Sequence, residues 1–183
     1  MTGRAREFGL RPGVLPVGAR NMITDVPAVN VGQVTLTGDG INTGVTAIVP
    51  ASGNLFTSKL VAGASVINGF GKSVGLMQLS ELGTLETPIV LTNTFSVGTG
   101  STALIRRAIG ETPEIGRETS TVNPVVGECN DGALSDIQAM AVTEAHVFQA
   151  LDQASLSVDE GSVGAGTGMS CFGFQGGVGT ASR

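Results

Sequence analysis

The residue of this sequence most readily given a chemical task is Glu128. It ends the apolar run Pro124-Val125-Val126-Gly127 and is followed almost at once by the turn formers Asn130-Asp131-Gly132. A carboxylate at the end of a buried strand either lines a cleft or sits on the rim of the fold with no ligand. In a cleft, its ionised form accepts charge-assisted hydrogen bonds from a substrate ammonium group. Asp131 and Asp136 are close by, and Asp131 reads as a turn former. The second feature is Gly164-Ala165-Gly166-Thr167-Gly168-Met169, a segment whose backbone can approach another group closely. It reads either as a tight structural turn or as the wall of a site. It is not a dinucleotide fingerprint, because Met169 stands where the third glycine is needed. Gly69-Phe70-Gly71-Lys72-Ser73 looks like the end of a phosphate loop, but Val66 replaces that loop's first glycine. A kinked helix with a surface lysine is the expectation there.

Other chemistries lack their residues. His146 is the single histidine and falls on a predicted helix beside its apolar stripe, where it reads as a packed or solvated helix residue. A histidine-based triad and a histidine-rich zinc site are therefore not expected, and no cofactor is expected. Cys129 and Cys171 are far apart and have no histidine or lysine next to them, so both read as buried free thiols. Free thiols point to a reducing compartment and a cytoplasmic location. The residues alone give a glycine-lined loop and a strand-end carboxylate, without a complete catalytic constellation.

These residues must be positioned by strands and helices that alternate along the chain, which gives an α/β or α+β class. The first twenty residues, rich in Gly, Pro and Arg, read as an extended arm. Val29–Leu36 reads as a strand, 37–40 as a turn and Gly44–Pro50 as a second strand, pairing as a hairpin. Leu60–Leu82 carries apolar residues at helical spacing, interrupted by Gly69, Gly71 and Gly75. Pro88–Thr92 reads as a buried strand running into a small-residue turn at Ser96–Ser101. A helix from Ser101 to Ile109 follows, stopped by Gly110. Pro124–Glu128 is a further strand, and Thr143–Ala154 a helix capped by Thr143 with a stripe of Val147, Phe148, Leu151 and Ala154. Phe172 and Phe174 alternate within the glycine-dense segment 161–179, which suggests a strand after a sharp loop. No internal repeat or domain boundary interrupts the 183 residues, so a single domain is expected.

Composition narrows the partners. Hydrophobic residues make up 41% and charged residues 14%, enough apolar material for a sizeable core. The net charge is −5, there is no Lys/Arg cluster, and Trp and Tyr are absent, which argues against nucleic acid. No run of 18 apolar residues is present, so no membrane partner is expected. Met1–Pro12 lacks the apolar segment and cleavage site of a signal peptide.

An ordered set of short motifs resembles one family. Asn21-Met22-Ile23-Thr24-Asp25-Val26 is similar to the N-A-I-T-D-V opening of the DmpA/BapA self-cleaving aminopeptidases. Val29–Thr35, Asn42–Thr46 and Ala64–Gly69 resemble that family's V-E-V-G-H-T-T, R-T-G-V-T and A-V-I-N-G segments. Pro124–Glu128 resembles P-V-V-A-E, Gly164–Met169 resembles G-G-G-T-G-M, and Gly176–Thr180 resembles G-G-I-G-T. The blocks keep their order over nearly the whole chain.

The resemblance implies an α/β/β/α sandwich, incomplete in this chain, and a precursor that cuts itself once to free a serine at the start of a β-chain. That serine's hydroxyl attacks the substrate carbonyl. Its new α-amino group titrates nearer neutrality than a lysine and can take the hydroxyl proton. By the same resemblance Glu128 binds the free amino group of the substrate, and Gly166, Thr167, Gly168 and Met169 lie against it. The implied activity is removal of the N-terminal residue from short peptides, amino-acid amides or esters. The implied partners are the protein's own β-subunit, further αβ units in a homo-oligomer, and small peptide substrates. The family continues with Y-T-V-G-V-L-V-Q-A-N, whose asparagine helps form the oxyanion hole, and the nucleophilic serine comes later still. None of these is in the sequence, and Ser182 sits in the G-T-S-S-R position well before the cleavage site, so no catalytic residue is expected in this chain. Asn130 falls where relatives vary, so side-chain preference does not carry over. Two other readings stay open: an acyltransferase related to ornithine acetyltransferases, which generate an N-terminal threonine, and a non-catalytic binding or assembly protein.

Overall fold

Asp39 and Gly40 both occupy the left-handed region, with φ of 52° and 80°. That is the geometry of a two-residue hairpin turn whose twist matches the strands it joins, and an Asp-Gly pair favours it. In the computed structural model this turn links the two longest strands. The structure describes residues 4–183; Met1–Gly3, the beginning of the expected arm, lie outside them. In chain order the elements are β1 (Asn30–Gly38), β2 (Ile41–Val49), β3 (Leu60–Val61), α1 (Leu76–Leu82), β4 (Thr84–Leu85), β5 (Ile89–Thr92), α2 (Val97–Glu111), β6 (Val125–Glu128), α3 (Glu144–Asp152), β7 (Ser170–Cys171) and β8 (Phe174–Gln175). The class is mixed α/β, as expected.

The main sheet has the order β1-β2-β5-β6. Its first two pairings are antiparallel and β5 pairs with β6 in parallel, Thr92 opposite Glu128. A parallel pair needs a crossover, and α2 supplies it. One face of the sheet presents Val34, Val45, Ala47, Val90 and Val126, which pack on Leu104 of α2 and on Val147, Ala150 and Leu151 of α3. Leu104 is only 1% exposed, and burying such a side chain stabilises by roughly 2 kcal/mol. Gly32 decides how near α3 can come, since a Cβ there would overlap the carbonyl of Ala150. Thr143 precedes α3, and its N–H donates to His146 Nδ1 at 3.1 Å. The single histidine therefore serves as part of a helix cap.

The opposite face is less covered. Ile48 and Leu91 remain half-buried there. They help line a cavity of about 270 Å³ with Val31, Val158 and Val178. Beside it, Leu79 and Leu85 pack on Val125. The buried Glu86 next to this cluster is paired with Lys59 and accepts from Gln78 Nε2 at 3.2 Å and the Asn123 N–H at 2.5 Å. Its charge is thus both paired and hydrogen-bonded, as burial requires.

From Arg4 onward the N-terminal arm is irregular apart from one 3₁₀ turn at Ala5–Phe8, and it clasps the last residues of the chain. Arg4 donates to the carbonyls of Asn21 (2.7 Å) and Thr180 (2.8 Å). The Ser182 hydroxyl donates to Asp25 Oδ2 at 2.6 Å. This bond, more than any other contact, holds the Asp25 carboxyl below its ordinary range.

Three expectations are corrected. Only Leu76–Leu82 of the segment expected to be helical is helix; Leu60–Val61 is a strand paired with β4. Gly75 sits at φ 86°, which ends any helix running through it, and Val61 and Ile67 are at least 95% exposed. Their helical spacing therefore marks no buried face. The small residues 97–101 are the first turn of α2 rather than a loop, and Gly110 lies inside that helix. Gly100 fits against Val126, where an added Cβ would come within 3.2 Å of Cγ1. Phe172 and Gly173 form the turn between β7 and β8, with φ of 52° and 79°, and Phe172 and Phe174 are both exposed. A strand does include Phe174, but Phe172 stands in the turn before it, so the alternation does not run along one strand.

Candidate active site

The carboxyl ends of β5 and β6 bring Glu128 together with groups that the sequence did not single out. Crevices outside the carboxyl ends of parallel strands are where open α/β sheets bind ligands. Glu128 is half-buried there. Thr94, two residues past β5, donates its hydroxyl to Glu128 Oε1 at 2.6 Å. The Glu128 N–H donates to Ser73 Oγ at 3.1 Å. Its other oxygen faces Gly71, where an added Cβ would stand 3.4 Å away. Lys72 does not neutralise it: the Lys72 ammonium donates to the Phe70 carbonyl and lies over the Phe70 ring, 3.4 Å from its centre. Among the described residues no cation pairs with Glu128. A carboxylate fixed through one oxygen and unneutralised at the other suits an incoming ammonium group.

The glycine-rich segment folds as a tight buried turn along the less covered sheet face. Gly164 N–H donates to Thr35 Oγ1 at 2.9 Å and Ala165 N–H to Thr46 Oγ1 at 3.1 Å. The Thr167 hydroxyl donates inward to the Gly164 carbonyl at 2.6 Å. Gly166 is backed by Gly177 and Val178, and Gly168 by Asn42 and Asp131, each without room for a Cβ. Met169 is half-buried. The four residues thus present a packed backbone, with the threonine hydroxyl already used inside the turn. Gly69–Ser73 is an irregular loop rather than a kinked helix, and its last residue, Ser73, is the one that touches Glu128.

Between Glu128 and Gly168 lies a buried polar group. Asn93 Nδ2 donates to Thr43 Oγ1 at 3.0 Å, and Asn93 Oδ1 accepts from the Ser96 N–H at 3.0 Å. Burial pushes the Asp131 carboxyl above its ordinary range, against the opposing influence of the nearby Thr43 and Asn93 side chains. The turn expected of Asp131 does form, but through its backbone carbonyl, which accepts from Leu134 and Ser135 N–H. Its side chain points inward. Asn93-Thr94 carries the same sequence signal as Glu128, a polar residue directly after a buried strand, and could have been found by it.

The thiols differ from the expectation that both are buried. Cys171 is exposed, whereas Cys129 is partly buried. Burial, then the charges of Glu128 and Asp131, pushes the Cys129 thiol up to about 11. Alkylation at about pH 7.5, where thiolate content sets the rate, should modify Cys171 rapidly and leave Cys129 unmodified. Peptide mapping checks this, and modification of Cys129 first would contradict it. No cluster of metal-ligating side chains is found among the described residues, and none of their helices is long and apolar enough to cross a membrane.

The ordered motifs, the mixed sheet and the strand-end carboxylate converge with the comparisons. The chain is 40% identical over 190 aligned residues to the β-peptidyl aminopeptidase BapA of Sphingosinicella microcystinivorans, covering 98% of this chain and 46% of that protein. The structure superposes on the crystal structure of the PH0078 protein from Pyrococcus horikoshii OT3 with a TM-score of 0.95 at 50% identity, covering 99% of this chain and 54% of that one. It superposes on the L-aminopeptidase D-Ala-esterase/amidase of Ochrobactrum anthropi, described as a variant of the Ntn hydrolase fold, with a TM-score of 0.84 at 37% identity, covering 98% of this chain and 52% of that one. The chain therefore spans about half the length of the relatives it matches. With the sequence profile of peptidase family S58 matching residues 21–183, the chain belongs to that family.

Proposed function

We propose that this chain is the N-terminal portion of a single-domain, self-cleaving aminopeptidase, which removes the N-terminal residue from short peptides, amino-acid amides or esters. The observation that carries the reading is Glu128, held by Thr94 at the carboxyl end of a parallel strand pair, with no cation paired to it among the described residues. A charge placed there selects chain ends, because only a terminal residue offers a free ammonium group. Gly166, Thr167, Gly168 and Met169 form the wall against which the substrate lies, through their backbone. The half-buried apolar face at Ile48 and Leu91 supports a second sheet, contributed by the β-part, as the next layer of an α/β/β/α sandwich. The partners of the reading are that β-subunit and further αβ units in a homo-oligomer. Two free cysteines support a cytoplasmic location.

On this reading the nucleophilic serine belongs to the β-part, and the 183-residue piece alone is expected to show no amidase activity. The reading is tested by purifying the complete protein and sequencing the N-termini present. It expects two chains, the second beginning with serine. A second chain beginning with threonine would favour the acyltransferase alternative, and an uncut chain would remove the proposed nucleophile altogether.

A further inference from the structure

Asp131 is a buried charge that neither the turn nor the proposed chemistry uses. Its residue is 1% exposed, and its Oδ1 has no hydrogen-bond partner among the described residues. Removing a carboxylate from water is costly unless its hydrogen bonds repay the loss, so its position calls for a reason beyond turn formation. The turn itself needs no carboxylate there. The side chain of Asn130 already accepts from the Gly132 N–H at 3.1 Å, and the backbone carbonyl of Asp131 takes the Leu134 and Ser135 N–H groups.

The neighbours of Asp131 show what the carboxylate holds. Thr43 is the third residue of β2 and Asn93 follows β5, and both side chains lie close enough to the carboxyl to oppose the rise that burial causes. Asn93 also bonds Thr43 directly and closes the first turn before α2 through the Ser96 N–H. The next residue, Thr94, is the donor to Glu128. On the other side, the Asp131 Cβ stands where it would be 2.9 Å from a Cβ on Gly168. One buried carboxylate thus touches both pieces of the candidate site: the strand ends that fix Glu128 and the glycine-rich segment.

We propose that Asp131 is a positioning residue of the Glu128 site, holding Asn93-Thr94 and backing Gly168 so that the carboxylate that receives the substrate amine keeps its aim. The proposal rests on the reading of Glu128 as the amine anchor. It makes a prediction that general stability does not: the effect of Asp131 passes through Glu128.

The test uses the complete protein, steady-state kinetics and an amino-acid p-nitroanilide with a free amine. Asp131→Ala should raise KM about fivefold with kcat within about twofold, the size of coupling usual between neighbouring residues. The same substitution in a Glu128→Ala background should raise KM no further. Asp131→Asn, which keeps the shape and one carbonyl acceptor, should return KM to within about twofold of the parent. Val147→Ala, which opens the distant core, should lower Tm and leave KM alone. If Asp131→Ala does not fold, Thr43→Val interrupts the same network from β2 and should raise KM about threefold. An unchanged KM in Asp131→Ala or Thr43→Val, while Glu128→Ala raises it, overturns the positioning role alone. An equal rise in the Glu128→Ala background also overturns it, because the residue would then act on stability or elsewhere. A KM unmoved by Glu128→Ala itself brings down the amine-anchor reading and the positioning role with it.

Discussion

Replacing Glu128 by alanine in the complete protein is expected to lower kcat/KM for free-amine substrates by about 30- to 150-fold, nearly all of it through KM. The magnitude follows from the chemistry of the site. Losing one partner of a buried, hydrogen-bonded charge pair costs about 2–5 kcal/mol, and Glu128 is only half-buried, so the lower part of that range applies. About 2–3 kcal/mol converts to the stated factor. The ammonium group does not change charge during acyl transfer, so its partner stabilises the bound substrate and the transition state alike. Loss of such uniform binding raises KM and spares kcat. Glu128→Gln retains an oxygen for the Thr94 hydroxyl and loses the charge, so its KM should fall between those of the parent and Glu128→Ala. Parallel initial-rate measurements on the three proteins decide the point. A loss confined to kcat would instead make Glu128 a participant in bond breaking.

Gly168→Ala is expected to have the second large effect. A Cβ at this position overlaps the Asn42 carbonyl oxygen and comes within 2.9 Å of the Asp131 Cβ. Neither atom is the end of a flexible side chain, so the segment itself must shift. Overpacking of this kind costs about 1–3 kcal/mol of stability. A displacement of about 1 Å in a substrate-positioning wall costs about 100-fold in rate. The variant should therefore lose Tm and most of its activity together. Gly110→Ala is the matched control: nothing lies within 4 Å of a Cβ there, and the site is inside helix α2. It should match or exceed the parent in Tm, since alanine is favoured over glycine in a helix by about 1 kcal/mol, and keep full activity. Calorimetry and initial rates on both variants give the comparison.

The parts of this fold legible in the sequence were those whose signal is local. The hairpin of β1 and β2 was readable because Asp39-Gly40 fits one turn type and β-branched residues flank it. Strands β5 and β6 are apolar runs bounded by proline and turn formers, and α3 carries its own cap at Thr143. The segment 60–82 failed because glycine overrode an apparent helical period: Gly75 needs φ 86°, and Val61 and Ile67 face outward. At the site, Glu128 was legible because strand, charge and turn are consecutive. The group formed by Thr43, Asn93 and Asp131 was not, because the sheet brings it together from distant positions. Asp131 in particular was hidden by its own plausibility as a turn residue, a task carried out by its backbone while its carboxylate turns inward.

The most direct test of the whole account compares one substrate in two forms with the purified complete protein: an amino-acid p-nitroanilide with its amine free, and the same compound N-acetylated. Acetylation removes the charge that Glu128 is placed to receive and leaves the scissile amide intact. Release of p-nitroaniline is expected from the free-amine form and none above background from the acetylated form. Equal rates from the two would contradict it, since a site built around Glu128 cannot treat a cation and a neutral amide alike.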